Sequence, residues 1–315
     1  MFSYSIYAVA VEETSKQKKW CHEKRKSVQR LGSLDLSSNH LHGSAPKWLW
    51  EVVEIFPCFG NLISSGLSVL DLRNNRFDGM IPPSFPKGNS LMILNLKGNQ
   101  LEGSLPESLL NCENLEVLDI GDNKINGSFR QWLESLPKLQ VLILRSNRFS
   151  GPISNPKVRF PFQKLRIMDL SNNEFTGHLL ITKYLENFTA MMDAHMDRLE
   201  YMGWTERYYQ DSVVLVIKGY ELQLEKILTI FTTIDFSRNN FEGGIPMSLG
   251  NLQSLKGLNF SHNKQTDQIP ASLGNLSNLE WLDLSSNKLS GNIPLQLAAS
   301  LNQLVSWKSI QHIQQ

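Results

Sequence analysis

Apolar and polar residues alternate along this chain in short bursts that return at a fixed interval. One copy reads Leu91-Met-Ile-Leu94-Asn-Leu96-Lys-Gly-Asn99-Gln-Leu101-Glu-Gly103-Ser-Leu-Pro106, and a late one reads Leu279-Glu-Trp-Leu282-Asp-Leu284-Ser-Ser-Asn287-Lys-Leu289-Ser-Gly291-Asn-Ile293-Pro294. The asparagine of this L-x-x-L-x-L-x-x-N-x-L-x-G-x-I-P pattern falls at Asn39, Asn75, Asn99, Asn123, Asn147, Asn173, Asn239, Asn263 and Asn287. Five of the eight intervals are 24 residues and the others are 36, 26 and 66. Nine copies at such a period exclude coincidence and predict a solenoid of stacked coils.

Each burst has the two-residue period of a strand with one buried face. Leu94 and Leu96 are expected to point inward, while Met92 or Ile93, Asn95 and Lys97 face outward. No coil buries its leucines alone, so neighbours share one core. The asparagine is expected to satisfy backbone groups of adjacent coils from inside the turn. The glycine that follows suits positive φ, and the I-P step suits an extended segment. Nine strands about 4.8 Å apart predict a concave parallel sheet roughly 40 Å long.

The G-x-I-P extension in Gly79-Met-Ile-Pro82, Gly243-Gly-Ile-Pro246 and Gly291-Asn-Ile-Pro294 resembles the plant-specific class of leucine-rich repeat. The segments Leu67-Ser-Val-Leu-Asp-Leu-Arg-Asn-Asn75, Leu139-Gln-Val-Leu-Ile-Leu-Arg-Ser-Asn147 and Ile227-Leu-Thr-Ile-Phe-Thr-Thr-Ile-Asp235 resemble the C-terminal half of plant receptor-like proteins of the disease-resistance type. The likeness runs over roughly residues 31–300. It implies an α/β fold, a right-handed horseshoe solenoid with a parallel concave sheet. It also implies a cell-surface receptor that recognises a peptide, protein or glycan ligand and signals through a co-receptor kinase, with no cofactor and no nucleic acid. The location implied is the extracellular face of the plasma membrane. Residues 1–11 do not read as a signal peptide, and no apolar run is long enough to span a bilayer. The pattern also decays after Pro294, so the chain reads as an interior slice of such an ectodomain. A truncated non-receptor repeat scaffold, or a non-functional gene fragment, is the alternative reading.

The expected organisation is a basic leader over 1–30, repeats one to six over 31–179 with a 12-residue insertion around 47–66, an island over 180–227, repeats seven to nine over 228–296, and a degenerate tail over 297–315. The formal net charge is +1, but residues 1–30 carry seven basic and three acidic side chains, so the rest nets about −3. The leader's Lys/Arg run reads as a solvated segment rather than a nucleic-acid patch. The island collects Met191, Met192, Met196, Tyr201, Met202, Trp204, Tyr208 and Tyr209, either as an adaptable binding surface or as its own small core. Three widely spaced cysteines, Cys21, Cys58 and Cys112, form no disulfide framework, and Cys112 reads as a buried filler.

No catalytic signature is present: there is no G-x-S-x-G, H-E-x-x-H, phosphate-binding loop or dinucleotide fingerprint, and the chain reads as a non-enzyme. The chemistry therefore sits on the surface. Outward strand positions form a plain Asp-x-Ser ladder in most coils, expected to be satisfied by neighbouring side chains and water. Arg73, Lys97, Ile143 and Arg145 interrupt it and are the ligand-contact candidates. Trp281 and His262 are candidate anchors for a docking partner, with packing under the C-terminal tail the alternative for Trp281. The sequons at Asn126, Asn187, Asn259 and Asn275 are glycosylation candidates.

Overall fold

A computed structural model describes residues 32–44, 66–179, 182–192, 213–217, 220–224 and 230–301. Nine short strands, one per coil, form a parallel sheet in strict chain order from Ser33–Asp35 to Trp281–Asp283. The register advances one coil at a time, Leu70 facing Leu94, Leu94 facing Leu118 and Leu118 facing Leu142. The inward leucines of successive coils, Leu70, Leu94, Leu118 and Leu142, are all fully buried and belong to one continuous core.

A second parallel sheet of eight strands, from His42–Ser44 to Lys264–Thr266, runs along the chain just after the asparagines. The sequence pattern had not marked this stretch as a strand; it assigned an extended segment only to the I-P step that follows. Its pairing supplies backbone partners to a segment that would otherwise need water. Beyond it most coils turn through a short helix, as in Glu107–Asn111, Gln131–Ser135, Met247–Asn251 and Ala271–Asn275. The I-P proline stands before three of these helices, at Pro106, Pro246 and Pro270, where a missing N–H costs nothing.

The asparagines join each coil to the one before it. The Asn147 amide donates to the Leu144 carbonyl of its own coil at 3.1 Å and to the Ile120 carbonyl of the preceding coil at 2.9 Å. Its carbonyl accepts the Ile125 N–H at 2.9 Å. The same bonds recur at Asn75, Asn99, Asn123, Asn173, Asn239, Asn263 and Asn287. They persist across the island: Asn239 donates to Leu170 O at 3.0 Å and accepts from Phe175 N at 3.0 Å. The glycines of the G-x-I-P step take positive φ, 75° at Gly79 and 81° at Gly291. A second left-handed position precedes every asparagine, as at Asn74 (54°), Asp122 (54°) and His262 (54°). Periodicity did not disclose it, because Ser, Asn, Asp, Arg and His share the place.

The helices α1 (Thr182–Leu185) and α2 (Thr189–Met192) open the expected island. Their Tyr184, Leu185 and Met191, with Phe188 between them, enter the main core, and Ser254 N–H donates to Met191 O at 2.9 Å. This stretch thus supplies the missing convex wall of the sixth coil. Strands Val213–Ile217 and Tyr220–Leu224 form an antiparallel hairpin. The remaining island residues with Met and aromatic side chains, from Met196 to Tyr209, lie outside the described residues, as do the leader and most of the insertion around 47–66. Cys112 is fully buried in the core, where burial pushes its thiol up to about 11 and leaves it inert.

Candidate ligand-binding face

On the concave face the strands present β-branched residues side by side. Val69, Ile93, Val117, Val141 and Ile167 form a second apolar row, each no more than 5% exposed. Strand neighbours about 4.8 Å apart shield one another, so an outward direction does not mean access to solvent.

The Asp-x-Ser ladder is bonded by neighbouring side chains, Ser171 to Asp169 and Asn259 to Asp235, but it is buried for the same reason and leans on backbone as well. Asp71, Asp119, Asp169 and Asp235 are 0–4% exposed. Each carboxylate accepts the N–H two residues on: Gly121 N to Asp119 at 2.9 Å, Ser171 N to Asp169 at 2.9 Å and Ser237 N to Asp235 at 2.9 Å. The ladder therefore holds the turn after the strand, an Asx bond repeated coil after coil. Asp169 and Asp235 stand directly opposite one another on adjacent strands. Burial, and then the neighbouring Asp169, raise Asp235 to about 7, and burial raises Asp119 to about 7. Burial likewise raises Asp169.

Of the ligand-contact candidates, Ile143 is corrected outright: it is 0% exposed. It packs in the second apolar row, in register with Asp119 and Asp169. Lys97, itself only 6% exposed, and the half-buried Arg145 are brought together by a half-buried residue that sequence reasoning missed, so Asp122 and Arg145 are the members of the cluster open to solvent. Lys97 Nζ lies 3.4 Å and Arg145 Nε 3.8 Å from the two carboxylate oxygens of Asp122. Between the two cations stands Gly121. A Cβ there would meet Arg145 Cγ at 3.1 Å, so the arginine stem lies across the glycine. The signal for Asp122 was legible, since no other coil places a carboxylate just before its asparagine. Arg73 is separate and pairs with Asp71 of its own coil at 3.3 Å. The patch is therefore a paired polar cluster rather than a free cationic field.

Trp281 is also corrected as an exposed anchor. It is 6% exposed and lies on Gly257, its partner in register. His262 is exposed on the turn five residues past Gly257. Among the sequons, Asn126 and Asn275 are exposed, on the second sheet and at the end of the Ala271–Asn275 helix. Asn259 donates to Asp235 at 3.0 Å and accepts from Ser261 N–H, while Asn187 donates to Lys183 O at 2.7 Å. Among the described residues no group of three or more His, Cys, Asp or Glu is arranged to hold a metal, and no helix is long and apolar enough to cross a membrane.

Two parallel sheets closed by an asparagine ladder define a leucine-rich repeat solenoid, and the chain belongs to the leucine-rich repeat family, whose matches cover residues 30–52, 66–87, 90–112, 105–149 and 231–289. Within that family the similarity is to plant receptor-like proteins. Receptor-like protein 32 of Arabidopsis thaliana is 49% identical over 233 residues, which are 73% of this chain and 25% of that protein. Receptor-like protein 6 of the same plant is 55% identical over 222 residues, 70% of this chain and 21% of the relative. The chain thus spans a quarter or less of these relatives. Among solved structures, the ectodomain of the receptor kinase GASSHO1/SCHENGEN3 from Arabidopsis thaliana, in complex with CASPARIAN STRIP INTEGRITY FACTOR 2, is 29% identical with a TM-score of 0.64, covering 87% of this chain and 26% of that one. The Arabidopsis receptor kinase HAESA, in complex with the peptide hormone IDA and the co-receptor SERK1, is 25% identical with a TM-score of 0.59, covering 88% and 41%.

Proposed function

We propose that this chain is a ligand-recognition segment in the extracellular part of a plasma-membrane receptor-like protein of plant defence. It receives a peptide along the concave sheet and works with a co-receptor kinase. The reading is of a binding module and not a catalyst. The observation that carries it is the polar cluster of Lys97, Asp122 and Arg145 on the concave face of a solenoid whose solved neighbours include a peptide-hormone complex. Such a cluster is pre-ordered by its own ion pairs, so a ligand carboxylate replaces Asp122 at little ordering cost. Arg73 extends the contact toward the first coils, and His262 offers an exposed group on the coils after the island.

Calorimetric titration of the secreted chain with a panel of secreted plant peptides tests the proposal. A peptide whose affinity falls at least tenfold in Arg145→Glu and in Lys97→Glu supports it. Binders that all ignore both changes would overturn the concave assignment.

A further inference from the structure

The fifth coil breaks the rules of its neighbours on the convex side. Its interval is 26 residues where one period is 24, and the additional residues go into the loop 154–161. The third, fourth, seventh and eighth coils use a short helix here, with Leu109, Leu133, Leu249 or Leu273 buried beneath it. The loop has no helix and leaves Phe160 55% exposed. The Arg159 guanidinium lies 5.0 Å from the centre of that ring.

The loop is nevertheless firmly held. Glu134 is buried at 3% exposure, and one of its oxygens accepts the Lys157 and Val158 N–H groups at 2.6 and 3.0 Å. Its other oxygen accepts the Tyr184 hydroxyl of α1 at 2.6 Å. Gln131 donates to Asn155 O at 2.8 Å. At the loop's end Phe162 is buried with φ at 52°, a strained conformation for a bulky aromatic residue. Phe162 anchors the end of the loop in the core beside Phe129, Tyr184 and Phe188. The Glu134 clasp and the absence of a helix leave Lys157, Arg159 and Phe160 on display.

We propose that the loop 154–161 is a second docking surface, on the convex side, for an acidic segment of a partner polypeptide. The charge of the face selects that partner. Lys157 and Arg159 are exposed, and so is Lys183, next to the Tyr184 that shares the Glu134 clasp, whereas Glu134 itself is sequestered. Glu186 is the exposed acid on the same short segment, so the cations outnumber it. Phe160 provides an apolar anchor of the kind that dominates interface energetics when ringed by polar groups. The surface is distinct from the concave face and stands whether or not a peptide binds there.

The test uses the secreted full chain and a short labelled peptide of glutamates flanking one leucine, with binding read by fluorescence anisotropy at low salt. The unaltered chain is expected to bind. Arg159→Glu should weaken binding at least tenfold and Phe160→Ala about fivefold, with circular dichroism unchanged. Lys124→Glu, a charge reversal on the second sheet, should leave binding within twofold. Failure of the unaltered chain to bind overturns the proposal. So does a loss with Lys124→Glu equal to that with Arg159→Glu, or a Phe160→Ala variant that binds normally.

Discussion

The indole of Trp281 occupies the space that a side chain at position 257 would need. A Cβ built on Gly257 would come within 2.2 Å of Trp281 Cε2. The pair closes the concave row where the preceding coils use Val, Ile or Thr. Gly257→Ala should therefore destabilise the protein by about 1–3 kcal/mol through overpacking. Trp281→Ala should cost about 3 kcal/mol through the cavity it leaves. Denaturant melts measure both, and a neutral Gly257→Ala would show that the ring is free to move.

Gln265 stands where other coils place Phe241, Phe175 or Leu101, and it is 0% exposed. Neither its amide nitrogen nor its amide oxygen has a hydrogen-bond partner. Gln265→Leu should stabilise by about 1–3 kcal/mol, the cost of an unsatisfied buried amide. Two residues on, Asp267 holds φ at 65° where the other coils use glycine, and Asp267→Gly should add about 1 kcal/mol. Thermal melts of the single and double variants check both increments. Unchanged melting in Gln265→Leu would mean that the amide is satisfied in solution.

The buried carboxyls make stability depend on pH in an unusual direction. Asp119 and Asp235 are raised to about 7, so the folded chain keeps protons that an unfolded one releases near pH 4. Their contribution is complete below about pH 4 and is lost as pH climbs toward about 7. The melting temperature should fall between about pH 5 and about pH 8, and Asp119→Asn should flatten that slope. A melting temperature that rises over the same interval would contradict the burial of these groups.

One Asn147 side chain joins two coils through three or more hydrogen bonds, all to backbone. Asn147→Ala leaves those buried groups without partners and should cost about 3 kcal/mol. Hydrogen exchange should locate the loss at the amides of Ile125 and its neighbours. Protection that remains uniform would show that water replaces the amide freely.

Glycan occupancy is expected at Asn126 and Asn275 in a secretory host, because both are exposed. Asn259 should stay largely bare, since its amide is engaged with Asp235. Peptide mass mapping after deglycosylation decides it. High occupancy at Asn259 would place a sugar on the concave sheet and count against ligand entry there.

The repeat, its core leucines and its asparagine bonds were legible because each depends on a residue type recurring at a fixed place. The second sheet was not, since its strands carry mixed residues such as those of Lys124–Gly127 and pair through backbone alone. Exposure on the concave face was misjudged for a related reason. Alternation reports the direction of Ile143 or Trp281, but burial depends on what the adjacent coils place beside them. Asp122 and Glu134 went unnoticed because each acts once, against partners set by the stacking.

Coil seven meets coil six through the same asparagine bonds that join coils with no island between them, although Asn239 and Leu170 lie 69 residues apart. The array is thus blind to what leaves and re-enters it at that point. Doubling the length of such an excursion costs only about 0.6 kcal/mol of closure entropy. Beyond the eleven residues that wall the sixth coil, the excursion is free to lengthen, shorten or change its side chains while the recognition face stays in register. Descendants of one scaffold therefore have a site where novelty accumulates at almost no expense to folding.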